Sequence, residues 1–345
     1  MLARGLDHPW EVRTLPGGKL LVTQRNRRTL TLVNPESGHR RNVEFPSTRV
    51  WANGETGLMG LEVDPAFAAN RRIYTCSGWR KAGGGHDVRV IAWTLDRGYT
   101  RARKVKVLRP GLPSAASGRH GGCRLLVARN GALLIGTGDG AVGWRPQSLH
   151  SFGGKVLRIN RFTGKPFKGN RWAGGHGPRR FVLTYGHRNV QGLAQRADGT
   201  LWSVEHGSYR DDEINRLRSG GNYGWNPVPG YNESVPMTDF GLPGKQYAAR
   251  WRSGDPTIAP SGADFVVGKG WGRYQGALAV AVLKGQRLMF VKLDRSGHLR
   301  WTRSPAALRH YGRLRSVHAT DTGSLLVTTD NGDGRDVLLR VRPVS

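Results

Sequence analysis

The hydrophobic positions of this chain fall into short runs that follow glycine turns, and they rarely recur with the spacing of a helix. Each run reads as a turn followed by a strand of about six residues, as a β-hairpin requires. Four runs are well defined and two are looser, and together they span residues 16–23, 71–76, 130–137, 198–205, 276–283 and 322–329. The pattern therefore predicts an all-β chain that repeats one strand unit six times.

The spacing of these runs indicates the architecture. Their starts lie roughly 50 to 75 residues apart, and a blade of four short antiparallel strands needs about 40 to 50 residues. A pair of large β-sandwiches would not repeat one strand signature six times. We therefore predict a six-bladed β-propeller of four-stranded antiparallel blades, which forms a single domain over residues 1–345. The longest irregular stretch, residues 222–260, is expected to be a functional loop.

The charge balance narrows the range of partners. The chain carries 54 Lys and Arg against 24 Asp and Glu, a formal net charge of +30. Such a charge attracts polyanions, so a non-specific polyanion contact is one expectation and a solvated basic surface is the other. No nucleic-acid motif accompanies the charge, and specific nucleic-acid binding is not expected. No apolar run is long enough for a membrane span, and residues 1–10 lack the pattern of a secretory leader.

The two cysteines are Cys76 and Cys123. Two cysteines do not make a disulfide framework, and no CxxC motif indicates a metal site. Because unpaired cysteines are frequently buried, we expect two half-buried packing thiols, with a single disulfide as the alternative.

Two loops carry residue types that suit chemistry. The segment 205–215 contains adjacent carboxylates, Asp212 and Glu213, between glycine turns. Flexible oxygen-rich loops suit calcium, although a solvated acidic pair is the plain alternative. The segment YGHRNVQG at residues 185–192 places Arg188 and Asn189 just before a repeat strand, where Arg188 could hold a carboxylate or a carbonyl group or pair with a neighbouring acid.

A histidine and a further carboxylate suggest a general base. His120 has small neighbours, which would let a ligand approach closely, and Asp139 follows a repeat strand. A histidine oriented by a carboxylate is a common base, and a structural histidine is the alternative. Near the C-terminus, Arg313 and Arg315 would share one face of a strand, where they need an anionic partner or open solvent.

Together these segments resemble one family, the soluble quinoprotein glucose and aldose sugar dehydrogenases. The resemblance covers nearly the whole chain in order, and YGHRNVQG and the combination of EHG, DE and NYGW at residues 205–225 are its most specific motifs. The other matching segments are HPWEV (8–12), LPGG (15–18), GETGLMG (54–60), DPAF (64–67), PTIAPSG (256–262), LKG (283–285) and GRLR (312–315).

The resemblance implies an activity, two cofactors and a set of site residues. It implies a six-bladed propeller that uses pyrroloquinoline quinone and calcium to oxidise aldose sugars at the anomeric carbon to lactones, with an unknown electron acceptor. His120 would be the general base, Asp139 would orient it, and hydride would pass to the quinone C5 beside Arg188. The implied cofactor-binding residues are Glu55, Asn189, Thr257, Lys284, Arg313 and Arg315. The implied calcium ligands are the Gly207 and Ser208 carbonyls and, at a structural ion, Asp212, Glu213 and Tyr223.

Departures from the family pattern affect substrate and cofactor more than fold. Glu55 stands where glucose-type members have Gln, and Ser208 stands where many have Pro. The rival function is a catalytically silent propeller that binds sugars or polyanions. Family members work outside the cytoplasm, so the resemblance also implies a periplasmic or extracellular protein whose leader is absent from this chain.

Overall fold

Twenty-five strands account for most of the regular structure in the computed structural model, which describes residues 1–268 and 270–343. In the first half of the chain they are β1 (Ala3–Leu6), β2 (Pro9–Thr14), β3 (Leu20–Gln24), β4 (Thr29–Val33), β5 (Arg40–Val43), β6 (Leu58–Val63), β7 (Arg72–Arg80), β8 (His86–Leu95), β9 (Ala102–Leu112), β10 (Arg124–Val127), β11 (Ala132–Gly136), β12 (Lys155–Asn160) and β13 (Val182–Tyr185). In the second half they are β14 (Val190–Gln195), β15 (Leu201–Glu205), β16 (Glu213–Arg216), β17 (Gly221–Asn222), β18 (Trp251–Arg252), β19 (Pro260–Phe265), β20 (Leu278–Val282), β21 (Arg287–Leu293), β22 (Leu299–Arg303), β23 (Leu314–Ala319), β24 (Leu325–Thr329) and β25 (Asp336–Val341).

Helical structure is confined to single turns. One α-helical turn, α1, spans Phe67–Asn70, and short 3-10 helices span Pro16–Gly18, Ser47–Arg49, Pro178–Phe181, Gly272–Tyr274 and Ala306–Tyr311. In the described ranges, no helix has the length and apolar character that crossing a bilayer would demand.

The strands form six antiparallel sheets, which are the six blades of a β-propeller. The blades are β2–β5, β6–β9, β10–β13, β14–β16 with β18, β19–β22, and β23–β25 with β1. The first strand of each blade contacts the first strands of both neighbouring blades, so that β2, β6, β10, β14, β19 and β23 close a ring. The predicted fold class is therefore confirmed. A short parallel pairing adds β17 to the outer edge of the third blade.

The two ends of the chain close this ring together. Strand β1, from the N-terminus, pairs antiparallel with β25 and becomes the outer strand of the last blade. A single blade therefore contains both the first and the last strand of the chain, and the propeller cannot close until the whole chain is in place.

The six predicted runs correspond to β3, β7, β11, β15, β20 and β24, the second strand of each blade. Each second strand is hydrogen-bonded on both edges and covered on both faces by adjacent blades. Most of its residues are buried, as in Leu20–Gln24 and Leu278–Val282. The sequence identified these strands because burial on both faces demands a nearly continuous apolar run.

Many of the cations of this basic chain lie on the outer strands. Arg103, Lys104 and Lys106 are exposed on β9, and Arg300 and Arg303 are exposed on β22. Charged side chains on an edge strand discourage pairing with another sheet. Edge protection gives these five cations a structural use, and polyanion contact by the basic surface stays a prediction.

Cys76 and Cys123 form a disulfide, and the expectation of half-buried packing thiols is wrong. Both residues are fully buried. The bond ties β7 in the second blade to the loop that precedes β10 in the third blade. His120 lies three residues before Cys123, so the disulfide anchors the loop that carries the candidate base.

Candidate active site

The candidate residues gather at one end of the propeller ring because of the blade topology. A first strand begins at the same end of its blade at which the antiparallel second strand finishes. The loops before first strands carry Glu55, His120, Arg188, Asn189, Thr257 and Arg313, and the turns after second strands carry Arg25, Asp139, the segment 206–212, Lys284 and Asp330. We call this cluster of residues the mouth.

His120 is held by a buried carboxylate. Its Nδ1 lies 2.8 Å from Asp139 Oδ1, and both side chains are almost completely buried. The second oxygen, Asp139 Oδ2, accepts hydrogen bonds from Trp225 Nε1 at 2.9 Å and from the Tyr231 hydroxyl at 2.8 Å. Burial alone would raise the pKa of Asp139, but its hydrogen bond to His120 and the nearby donors outweigh burial and lower the pKa. Asp139 is therefore a carboxylate, which fixes the His120 ring through Nδ1.

The glycines beside His120 serve the packing of its loop. A Cβ on Gly122 would lie 2.3 Å from the Gly138 nitrogen, and one on Gly121 would lie 2.4 Å from Thr56 Oγ1. His120 itself adopts a left-handed conformation with φ of 53°. These glycines let the loop pack closely against the loops that precede β6 and follow β11. That small neighbours let a ligand approach His120 stays a prediction.

Glu55 joins the histidine to the next loop. Its Oε2 accepts hydrogen bonds from the His120 backbone nitrogen at 3.0 Å and from Asn189 Nδ2 at 3.2 Å. Burial would raise the pKa of Glu55, but the charges of His120 and His206 and the backbone hydrogen bond outweigh burial and lower it. The structure thus places a carboxylate, with spare acceptor capacity, directly beside the candidate base.

Arg188 is a buried cation at the same end. Its Nη2 is paired with Glu233 Oε1, and its Nη1 lies 3.5 Å from the His206 carbonyl oxygen. Its Nε is buried and has no partner among the described residues. The guanidinium lies 5.7 Å from the centre of the Trp225 ring. The pairing of Arg188 with an acid is confirmed, and the acid comes from the long 222–260 loop.

A second group of cations surrounds Asp330. Arg315 Nη2 lies 2.7 Å from Asp330 Oδ2, and Arg313 Nη2 lies 3.9 Å from the same oxygen. Arg315 is buried, and its Nη1 donates to Gln191 Oε1 at 3.2 Å. Arg25 is also buried here, and burial followed by the charge of Arg315 lowers its pKa. The two arginines predicted to share a face therefore have an anionic partner, and Arg315 is not solvated.

Thr257 and Lys284 lie together on the fifth blade. Lys284 Nζ is 3.5 Å from Thr257 Oγ1. The Thr257 nitrogen donates to the Tyr209 carbonyl oxygen at 3.0 Å, which links this pair to the turn after β15. Two predicted cofactor residues, far apart in sequence, are thus adjacent.

The turn after β15 presents two backbone carbonyls. Among the described residues, none donates a hydrogen bond to the Gly207 or Ser208 carbonyl oxygen. Asp212 holds the turn, because Oδ1 accepts from the Gly207 nitrogen at 2.9 Å and Oδ2 accepts from the Ala259 nitrogen at 2.9 Å. The His206 carbonyl oxygen, one residue before Gly207, lies 3.5 Å from Arg188 Nη1, so this turn begins beside Arg188.

The structural calcium set does not converge through its side chains. The Asp212 carboxylate accepts hydrogen bonds from backbone nitrogens. The Glu213 side chain accepts from Asn215 Nδ2 and Thr238 Oγ1 instead. The Tyr223 hydroxyl donates to the Arg216 carbonyl oxygen at 2.6 Å. Burial first, and then the negative charge of Glu205, raise the pKa of Glu213 to about 8. Both acids are buried, so a solvated acidic pair is wrong, and their assignment as ligands stays a prediction.

A buried lysine organises the loop that follows Asp139. Lys155 Nζ donates to the carbonyl oxygens of Arg145 at 2.7 Å, Pro146 at 2.9 Å and Gly153 at 2.5 Å. These three bonds use all three protons of the ammonium group. Lys155 therefore ties residues 145, 146 and 153 together within the loop between β11 and β12.

We expect Lys155→Met to lower the free energy of unfolding by about 3 kcal/mol, because three buried carbonyls lose their donor. The matched control is Lys165→Met, at an exposed loop position, which should change it by less than about 0.5 kcal/mol. Urea unfolding of the two variants measures the difference. Equal stabilities would contradict the role given to Lys155.

Sequence reasoning missed Arg25 and Asp330, which belong to the mouth, and Tyr231 and Glu233, which contact Asp139 and Arg188 there. Tyr231 and Glu233 lie within the 222–260 stretch that was predicted to be functional, but nothing in that stretch singled them out. Arg25 lies in the turn after the second strand β3, just as Asp139 and Lys284 lie in the turns after the second strands β11 and β20. That shared position is a signal from which Arg25 could have been found.

The fold and the mouth define a class of protein: a six-bladed propeller that places a histidine–carboxylate pair and a cluster of arginines at one end of its ring. The sequence matches the Glucose / Sorbosone dehydrogenase family over residues 6–340. The chain therefore belongs to that family.

Individual relatives agree with this assignment. The aldose sugar dehydrogenase YliI of Escherichia coli is 27% identical over 98% of this chain and 91% of its own length. Quinoprotein glucose dehydrogenase B of Acinetobacter calcoaceticus is 30% identical over 78% of this chain and 59% of its own length. Among solved structures, the PQQ-bound aldose sugar dehydrogenase of Streptomyces coelicolor superimposes with a TM-score of 0.83 at 28% identity, covering 98% of this chain and 95% of that one.

Proposed function

We propose that this protein is a pyrroloquinoline-quinone- and calcium-dependent dehydrogenase that oxidises aldoses at the anomeric carbon to lactones. The observation that supports this proposal most strongly is that the mouth contains both a buried His120–Asp139 pair and a cluster of buried arginines. The relatives named as aldose sugar and quinoprotein glucose dehydrogenases support the same activity.

The polar groups of the mouth fit an anionic cofactor. Arg188 Nε, His206 Nε2 and Arg315 Nε are buried and have no partner among the described residues. Buried polar groups without partners are costly, and three of them at one site support a ligand that supplies acceptors to the two guanidinium nitrogens and a partner to the His206 ring. Pyrroloquinoline quinone carries three carboxylates and two quinone oxygens, which suits this donor set.

The residues that would hold the quinone come from three blades, the fourth, fifth and sixth. Arg188 and Asn189 would face its quinone oxygens, and Arg313, Arg315 and Lys284 would take its carboxylates. Thr257 lies beside Lys284 and would add a hydroxyl donor. A fixed guanidinium where negative charge develops stabilises a transition state, which gives Arg188 a catalytic role as well as a binding one.

A calcium ion fits the turn after β15. The Gly207 and Ser208 carbonyls have no donor among the described residues, and calcium accepts backbone oxygens as ligands. When bound, the quinone supplies the two-electron acceptor and the calcium ion supplies a Lewis acid beside it. Asp212 keeps the two carbonyls in place through its own bonds to the turn.

His120 would take the proton of the anomeric hydroxyl. Because Nδ1 is held by Asp139 at 2.8 Å, Nε2 is the nitrogen left to accept a proton. Asp139 then stabilises the imidazolium that forms. Glu55 lies beside His120 and has spare acceptor capacity for the sugar hydroxyls, which favours a neutral aldose over an acidic one.

The alternative function is a binding module without catalysis. A pure scaffold has no need for a carboxylate locked against a histidine by two further donors, Trp225 Nε1 and the Tyr231 hydroxyl.

The buried disulfide is consistent with an oxidising compartment such as the periplasm or the cell exterior. We propose no identity for the electron acceptor.

Reconstitution tests this function. We expect an aldose to reduce an electron-accepting dye only when both pyrroloquinoline quinone and calcium are present, and we expect a chelator to remove the activity. The matched substrate control is the methyl glycoside of the same sugar, which lacks the anomeric hydroxyl and should give no reduction. Activity without the quinone, or equal activity on the glycoside, would refute the proposed chemistry.

A further inference from the structure

Within residues 1–268 and 270–343, Arg188 pairs with one acid, Glu233, and that acid is shared. Glu233 Oε1 pairs with Arg188 Nη2, and both Glu233 oxygens accept from Arg119 Nη2, at 3.1 and 3.3 Å. Glu233 is therefore seated between two arginines. Arg119 lies one residue before His120, and Arg188 lies one residue before Asn189.

The two arginines differ in how much they need Glu233. Arg188 is only 4% exposed, and its remaining guanidinium contacts are a carbonyl at 3.5 Å and the Trp225 ring. The side chain of Arg119 is 45% exposed, so water can solvate it. Removing the partner of a buried charge is costly, whereas an exposed pair contributes little. The charge of Glu233 therefore matters mainly to Arg188.

The same arginine is the one that the proposed function sets against the quinone. An anionic or electron-rich oxygen that approaches Arg188 meets the Glu233 carboxylate on the same guanidinium. Two acceptors that carry negative charge on one donor repel each other. Glu233 is carried by the long irregular loop, where a modest movement can release it, and Arg119 is positioned to keep it.

We propose that Glu233 is the resting counter-ion of Arg188, and that binding of the quinone transfers Arg188 from Glu233 to the cofactor while Arg119 retains Glu233. This inference rests on the proposed function, because it requires an anionic cofactor at Arg188. Glu233 and Arg119 are then positioning residues that act through Arg188. They set the affinity for the cofactor without being needed for the fold of the mouth.

The inference predicts opposite effects for the two partners. Glu233→Gln removes the competing charge and should lower the dissociation constant of the quinone by about tenfold. Arg119→Ala removes the arginine that retains Glu233 when Arg188 turns to the quinone. Glu233 then competes more strongly for Arg188, and the dissociation constant of the quinone should rise by about tenfold. If Glu233 merely held Arg188 in a binding-ready position, Glu233→Gln would weaken binding instead.

The experiment is a titration of the intrinsic tryptophan fluorescence of the full chain with pyrroloquinoline quinone in excess calcium. The matched control is Glu44→Gln, which breaks the exposed pair between Glu44 and Arg101 far from the mouth and should bind as wild type does. Thermal unfolding adds a second measurement. Without quinone, Glu233→Gln should unfold at a lower temperature than wild type, and saturating quinone should shrink that difference.

The binding constants of wild type and the two variants distinguish counter-ion exchange from its alternatives. Tighter binding by Glu233→Gln together with weaker binding by Arg119→Ala supports counter-ion exchange. If wild type binds the quinone but Glu233→Gln binds it equally or more weakly, the inference is wrong and the proposed function stands. If wild type shows no saturable quinone binding, the proposed function and the inference both fall.

Discussion

Replacing His120 with asparagine is expected to lower the turnover number for aldose oxidation by about a thousandfold, within the usual contribution of a general base. Asparagine suits the position because it tolerates the left-handed backbone that His120 adopts. It offers no basic nitrogen to the substrate. The Michaelis constant should change far less than the turnover number, because the sugar and the quinone retain their other contacts.

Asp139→Asn extends the test to the partner of the histidine. The two oxygens of Asp139 accept from His120, Ala141, Trp225 and Tyr231. In Asp139→Asn, the amide oxygen would accept from Trp225 and Tyr231, so the amide NH2 would face His120 Nδ1. Nδ1 would then accept a hydrogen bond from the amide instead of donating one. The proton moves to Nε2, and the base is lost.

Steady-state dye reduction with the reconstituted variants measures both effects. His39→Ala, at an exposed position on the first blade, is the matched control and should match wild type. Circular dichroism shows that each variant has folded. Wild-type turnover in folded His120→Asn would rule out His120 as the base, and wild-type turnover in Asp139→Asn would rule out the orienting role of Asp139.

Loss of the disulfide between Cys76 and Cys123 is expected to lower the free energy of unfolding by about 4 kcal/mol. The bond closes a loop of 47 residues, and the chain entropy of an unfolded loop of that length gives this value. The loss should also lower turnover, because the bond anchors the loop that carries His120 three residues away.

Urea unfolding of wild type with and without a reductant, and of Cys76→Ala and the double variant Cys76→Ala/Cys123→Ala, measures the bond. The single variant should lose nearly as much stability as the double one, since either substitution breaks the cross-link. Two titratable thiols in denatured, unreduced wild type would show that the bond does not form, and the expected stability loss would then be absent.

The sequence located the candidate site better than it described the contacts there. His120, Asp139, Arg188 and Asn189 were singled out by their residue types and by their places beside repeat strands, and the structure brings all four together. The side chains that pair with these residues could not be predicted from the sequence. Glu233 meets Arg188 from 45 residues away, and Tyr231 meets Asp139 from 92 residues away, through a loop whose path has no periodic pattern.

Adjacency in the sequence did not predict a shared environment in the fold. Asp212 and Glu213 follow each other in sequence and were taken as one oxygen-rich pair, but neighbouring residues at the start of β16 face opposite sides. Asp212 therefore holds the turn after β15, and Glu213 lies with Glu205 and Asn215. In the same way, the sequence separation of Cys76 and Cys123 says nothing about their distance across two blades.

The amino-acid sequence by itself determined that the fold is all-β and that it has six blades. A strand buried on both faces requires an apolar run, and turns separate these runs at regular intervals along the chain. It also determined which residue types stand at the ends of those strands. Tertiary structure alone decided which ends meet, how β1 closes the ring, that the cysteines bond, and that Glu233 neutralises Arg188. Those features depend on contacts between distant segments, which local hydrophobic pattern and turn chemistry do not encode.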